Sequence, residues 1–80
     1  MKAHILVNIT PGRIREVVHR LKHLKGVVQA DACWGVPDVL VTIEVENEDE
    51  LSRLVLLEMQ SIEGIEKTDT HIVITEAWLR

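Results

Sequence analysis

The chain repeats itself at a fixed offset. Moving its first half along by 38 positions lays Ile5 on Ile43, Val7 on Val45, Val17 on Val55, Leu21 on Met59, Leu24 on Ile62, Gly26 on Gly64 and Val27 on Ile65. The spacing of apolar residues decides which element can bury them, so two stretches with one spacing fold into one kind of unit. In the first half, Ala3, Ile5, Val7 and Ile9 alternate with His4, Leu6 and Asn8, which is the period of a strand. Ile14, Val17, Val18, Leu21 and Leu24 then recur at helical spacing among charged residues. Thr10-Pro11 offers a capping hydroxyl and a proline at the first helical position, which predicts the helix start, and Lys25-Gly26 predicts its stop.

The middle of the chain joins the halves. Residues 27–34 read as a second, less regular strand, with Gln29 and Asp31 among small residues as at a sheet edge. Gly35, Pro37 and Asp38 form a corner, after which Val39, Val41, Ile43 and Val45 alternate with Leu40, Thr42 and Glu44. A hairpin with Asp38 at its mouth follows. Asn47-Glu48-Asp49-Glu50 gives a capping residue, early acids that suit the helix dipole, and a carboxylate three places on. Leu51, Leu54, Val55, Met59 and Ile62 supply the buried stripe of a second helix, while Leu56 and Leu57 widen it beyond what one sheet covers. Gly64 ends that helix, residues 67–75 alternate as a fourth strand, and residues 76–80 make a short tail.

Two βαβ halves of this kind interleave into one antiparallel sheet with both helices on one face, an α+β, ferredoxin-like βαββαβ plait. Its second face would carry His4, Leu6, Asn8, Leu40, Thr42, His71 and Val73, a mixture too apolar to leave wet and too polar for a monomer's core. Burial against a second copy about a two-fold axis is the simplest remedy, and it suits a chain of 80 residues with a thin core of its own.

Charge and cysteine content narrow the function. A net charge of −4 argues against a nucleic-acid surface, which needs an excess of Lys and Arg. Basic residues concentrate before residue 30 and acids after it, giving the two helices faces of opposite sign. The lone Cys33 excludes an internal disulfide, and no apolar run is long enough for a signal core or a membrane span. The expectation is a cytoplasmic protein without membrane contact.

Certain residues carry a family likeness. Gly26-Val27, Ala30, Gly35-Val36-Pro37-Asp38 running into a strand, and the run from Ile62 through Gly64-Ile65, Thr68, Thr70 and His71 to Ile74 resemble the effector-binding (RAM) domain of the Lrp/AsnC family of feast/famine regulators. The resemblance covers nearly the whole chain. It implies a homodimer made by the open sheet faces, a dimeric α+β barrel, with dimers assembling further into tetramers to octamers. It also implies a small effector, usually an amino acid, bound where dimers meet. Carried over by position, it assigns effector binding to Gly35, Val36, Pro37 and Asp38 in the turn and to Thr68 and Thr70 in the last strand. No catalytic residue, metal or cofactor is implied. The chemistry is sensible, because a carboxylate such as Asp38 suits an ammonium group, and hydroxyls and backbone amides suit a carboxylate. Pro37 stands where family members often carry Tyr or Phe. Because strand one is read from Lys2 onward, the expectation is that the N-terminal helix-turn-helix domain usual in the family is absent. The expectation is therefore a stand-alone domain over residues 1–80, with no direct nucleic-acid contact, acting by ligand sensing or by joining a full-length relative to modulate transcription.

Other residues carry weaker chemistry. His19 and His23, four apart on the exposed helix face, are too few for a closed zinc site. His4 and His71 fall on strands one and four as possible neighbours, where a hydrogen-bonded interface role or pH sensing is in play. Cys33 reads as a small buried hydrophobe, and Trp34 and Trp78 as anchors for subunit contacts. Two rival readings share the fold. One is a peptide-binding maturation chaperone of the NapD type, a monomer with a usable sheet face. The other is a small dimeric α+β-barrel enzyme similar to the antibiotic-biosynthesis monooxygenases, disfavoured by the lack of a tyrosine or an acid–base pair.

Overall fold

A computed structural model describes residues 1–79, and Arg80, the last residue of the expected tail, lies outside them. Strand β1 (Lys2–Ile9) leads to helix α1 (Ile14–Lys22) and strand β2 (Val27–Ala32); strand β3 (Val39–Glu44) leads to helix α2 (Glu48–Ser52) and, at the end, strand β4 (Ile65–Ile72). The four strands form one antiparallel sheet in the order β2-β3-β1-β4, so each half reaches across the other's first strand, and the plait read from the sequence is the observed fold.

Alternation decides which face is buried. Ala3, Ile5, Val7 and Ile9 of β1 and Val39, Val41 and Ile43 of β3 point to the helices and are sealed from water. Val17 and Leu21 of α1, and Leu51, Leu54, Val55, Met59 and Ile62 of the second half, close over them. Apart from Ala3, each such side chain contributes roughly 1.5–3 kcal/mol by leaving water. No polar or charged side chain is buried among the described residues.

The glycines that end the helices lock the halves together. The Thr10 N–H donates to the Gly64 carbonyl at 2.8 Å, and the Glu44 N–H donates to the Gly26 carbonyl at 2.9 Å. A Cβ on Gly64 would stand 2.9 Å from Val17 Cγ2 on α1. At Gly26 it would stand 3.2 Å from Leu54 Cδ2. Each turn thus packs against the other half.

Local boundaries depart from the sequence reading in four places. Thr10 does not cap α1: the Arg13 N–H donates to the Thr10 carbonyl at 3.1 Å and Gly12 has φ +86°, so Thr10-Pro11-Gly12-Arg13 closes a turn first and the helix begins at Ile14. Proline followed by a residue at positive φ is the pattern of a type II turn. Strand β2 ends at Ala32 rather than Trp34, which stands fully in solvent. The second helix is α-helical only from Glu48 to Ser52 and continues as a π-helix over Arg53–Met59, leaving Leu56 and Leu57 exposed. Strand β4 runs earlier than expected, though the Val73 N–H still donates to the Lys2 carbonyl at 2.9 Å, and Glu76–Leu79 forms a 3-10 turn.

Candidate functional site

The corner between β2 and β3 is built on Asp38. Its carbonyl accepts from the Cys33 N–H at 2.8 Å, its N–H donates to the Val7 carbonyl at 3.0 Å, and its Oδ2 accepts from the Ile9 N–H at 2.7 Å. One residue therefore closes the hairpin and ties it to the end of β1. Gly35 takes φ +94° and the Val36–Pro37 peptide bond is cis. The tip between Ala32 and Pro37 holds Trp34 and Val36 almost wholly in solvent. Cys33, expected as a small buried hydrophobe, is exposed there as well.

Thr68 and Thr70 lie elsewhere. They pair with Val7 and Ile5 on β1, and because paired residues of antiparallel strands share a face, they stand on the helix side of the sheet. The Thr68 hydroxyl accepts from Gln60 Nε2 at 2.9 Å, whereas Thr70 is exposed. Strand β1 separates this pair from the Asp38 corner, which belongs to β3 on its other side. Within one chain the six residues make two separate groups.

The open face is ordered in rows across the strands. One row reads Gln29, Thr42, His4, His71, and the next Asp31, Leu40, Leu6, Asp69. Leu6 and Leu40 form an apolar centre with a polar pair at each edge: Gln29 Nε2 donates to Asp31 at 2.7 Å, and His71 Nε2 lies 3.2 Å from Asp69 Oδ2. His4 and His71 are cross-strand neighbours, as their positions suggested. Asp31 and Asp69 went unremarked in the sequence; the alternation that placed Leu40 and Leu6 on this face, extended to the edge strands, finds them.

Two clefts lie away from these groups. One of about 930 Å³ runs between the Lys25-Gly26 turn, the end of β3 and the second helix, with Glu44, Glu46, Asp49, Glu50 and Glu58 along it facing Lys25 and Arg53. Part of that acidity serves the helix start: the Glu46 N–H donates to Glu50 Oε2 at 2.9 Å, and the Glu50 N–H to Asn47 Oδ1 at 2.9 Å. The other, of about 500 Å³, is bordered by His19, His23 and Glu58. His23 Nδ1 is held by the His19 carbonyl at 2.7 Å, and no group of three metal-ligating side chains converges among the described residues. At the α1 entrance, Arg13 donates to Glu16 and, at 3.2 Å, to Glu63. The hydrogen bond from Arg13 holds the Glu16 carboxyl below the usual carboxylate range.

Comparison with known proteins agrees with this architecture. An uncharacterised HTH-type transcriptional regulator of Pyrococcus abyssi is 32% identical over 71 residues, covering 89% of this chain and 45% of the relative. The chain thus spans about half the length of the curated relatives it matches. A crystal structure from Thermus thermophilus superimposes with a TM-score of 0.88 at 22% identity, covering 92% of both chains, which attests the fold. A Neisseria meningitidis transcriptional regulator, solved as a complex with L-Met, superimposes with a TM-score of 0.83 at 23% identity over 94% of this chain and 50% of its own. The family model for the Lrp/AsnC ligand binding domain matches residues 2–79. Among the described residues, no helix is long and apolar enough to cross a membrane. The family is one of regulatory ligand-binding domains rather than of enzymes, and this chain, with its plait, its Asp38 corner and its open sheet face, belongs to it.

Proposed function

We propose that this domain, folding by itself over residues 1–80, is a cytoplasmic, non-catalytic sensor. It binds a small effector, an amino acid, between subunits that pair through their open sheet faces and assemble further into tetramers to octamers. Alone or joined to a full-length relative, such an assembly modulates Lrp/AsnC-type transcription regulators. One observation carries the reading. The Gly35–Asp38 corner and the Thr68/Thr70 pair flank β1 on opposite sides, and a second subunit would let one small ligand touch both kinds of group without spanning that strand. The L-Met complex of the Neisseria meningitidis regulator supports an amino acid as the ligand class. Asp38 would meet the ammonium group with a charge-assisted bond, and threonine hydroxyls would serve the carboxylate.

Isothermal titration with each amino acid, combined with light scattering, tests this. Tight binding of one or a few amino acids to an oligomer is expected, weakened about tenfold or more by Asp38→Asn. That substitution removes the charge and keeps an oxygen for the Ile9 N–H. Tight binding indifferent to it would sink the assigned site, and a monomer that binds no amino acid would sink the function.

A further inference from the structure

The open sheet face carries one histidine that no acid among the described residues serves. His4 sits on the central strand β1, half-buried, with Nδ1 3.2 Å from Thr42 Oγ1 on β3, and its neighbour on β4 is His71. The two imidazoles differ in company. His71 lies 3.2 Å from the Asp69 carboxylate, which compensates a positive charge there. The other charged groups on this face are engaged or placed elsewhere. Asp31 on β2 accepts from Gln29 at 2.7 Å and Asp38 from the Ile9 N–H at 2.7 Å. Glu44 on β3 stands opposite Lys2, and Lys67 on β4 opposite Asn8. Both helices lie on the other face and bring no charge to His4. Its neighbours on this face are Thr42 and His71 in its own row, Leu40, Leu6 and Asp69 in the next, and Lys2 and Glu44 in the row on the other side, and among the described residues neither acid forms an ion pair with it.

We propose that His4 is a pH-sensitive latch on the pairing of open sheet faces: neutral, it lets two copies close, and protonated, it holds them apart. The proposal rests on the pairing reading given above. Closing a second copy over this face removes water from His4, and a buried charge without a partner is costly. Two-fold symmetry brings a second copy of the same imidazole to the same interface. Histidine changes charge between about pH 5 and pH 8, so the latch works in the range cells use.

Sedimentation equilibrium of the full chain, at about pH 7.5 and about pH 5.5, tests the latch, with circular dichroism confirming the fold at both values. For the native sequence the dimer dissociation constant is expected to rise at least about tenfold on acidification, because both His4 side chains must shed a proton to enter the interface. His4→Gln, whose amide can still meet Thr42, is expected to abolish the rise, and His71→Gln to preserve it. If His4→Gln misfolds, His4→Asn takes its place. A dimer equally tight or tighter at the lower pH overturns the latch and leaves the pairing intact. A rise that persists in the folded His4 variant overturns the assignment to His4. Monomers at both pH values overturn the pairing itself.

Discussion

The two βαβ halves start from one hydrophobic pattern and part company at the entrance to their helices. In the first, Thr10 to Arg13 closes a turn and α1 starts at Ile14 with no side-chain cap. In the second, Asn47 Oδ1 caps the Glu50 N–H, the Glu50 carboxylate reaches back to the Glu46 N–H, and the helix is under way at Glu48, the position that repeats Thr10. The buried partners nonetheless coincide: Val17 with Val55, and Leu21 with Met59, are all core. Apolar spacing fixes what is buried, whereas a few polar or turn-forming residues at the junctions fix where each helix begins. The halves also differ in sign, with Arg15, Arg20 and Lys22 on α1 against Glu48, Asp49 and Glu50 on α2.

The contrast can be broken or sharpened by substitution. The largest effect is expected at the glycines. Gly64→Ala combines a backbone at φ +107° with a Cβ 2.9 Å from Val17, and should cost about 2–3 kcal/mol. Gly26→Ala, at φ +100° with its nearest contact at 3.2 Å, should cost about 1–2 kcal/mol. Chemical denaturation of both variants checks the order, and the reverse order would show that the close approach to α1 is not what separates them. Next come the helix entrances. Asn47→Ala should lose about 1 kcal/mol, and Thr10→Ala less than about 0.5 kcal/mol because its hydroxyl caps nothing. Equal losses would erase the difference between the halves.

The smallest effect concerns Arg13 and Glu16 at the uncapped entrance. Glu16 titrates lower in the folded chain, so its contribution is complete above the ordinary glutamate range and is lost as the pH falls through the lowered value. Melting temperature against pH should therefore fall on the acid side, and Glu16→Gln should flatten that limb slightly. An unchanged limb would mean that the exposed pair contributes nothing.

Most of the fold was legible because alternation and helical spacing are strong signals in β1, β3 and α1. The repeat showed that the second half would copy the first. Less legible were junctions decided by competition between neighbours. Thr10-Pro11 has the composition of a helix start, yet Gly12 lets the chain turn before the helix begins. Nothing in the composition of Arg53–Met59 announces a π-helix: Leu54, Val55 and Met59, which helical spacing marks as the buried stripe, are the residues buried there. For the candidate site, the turn residues marked the corner and the family resemblance named the threonines, but neither gave their separation. That separation depends on strand order, with β1 inserted between β3 and β4, and the parity that puts Thr68 and Thr70 beside Val7 and Ile5 appears only once the register is known.

Asp38 has a consequence of its own. Its carboxylate already grips the amide of Ile9, the last residue of β1, so any cation arriving there must share that grip. The same strand displays Leu6 and His4 on the open surface. Under the proposed function, the ligand corner and the docking surface would thus be carried by one strand, bonded to a neighbour on each side.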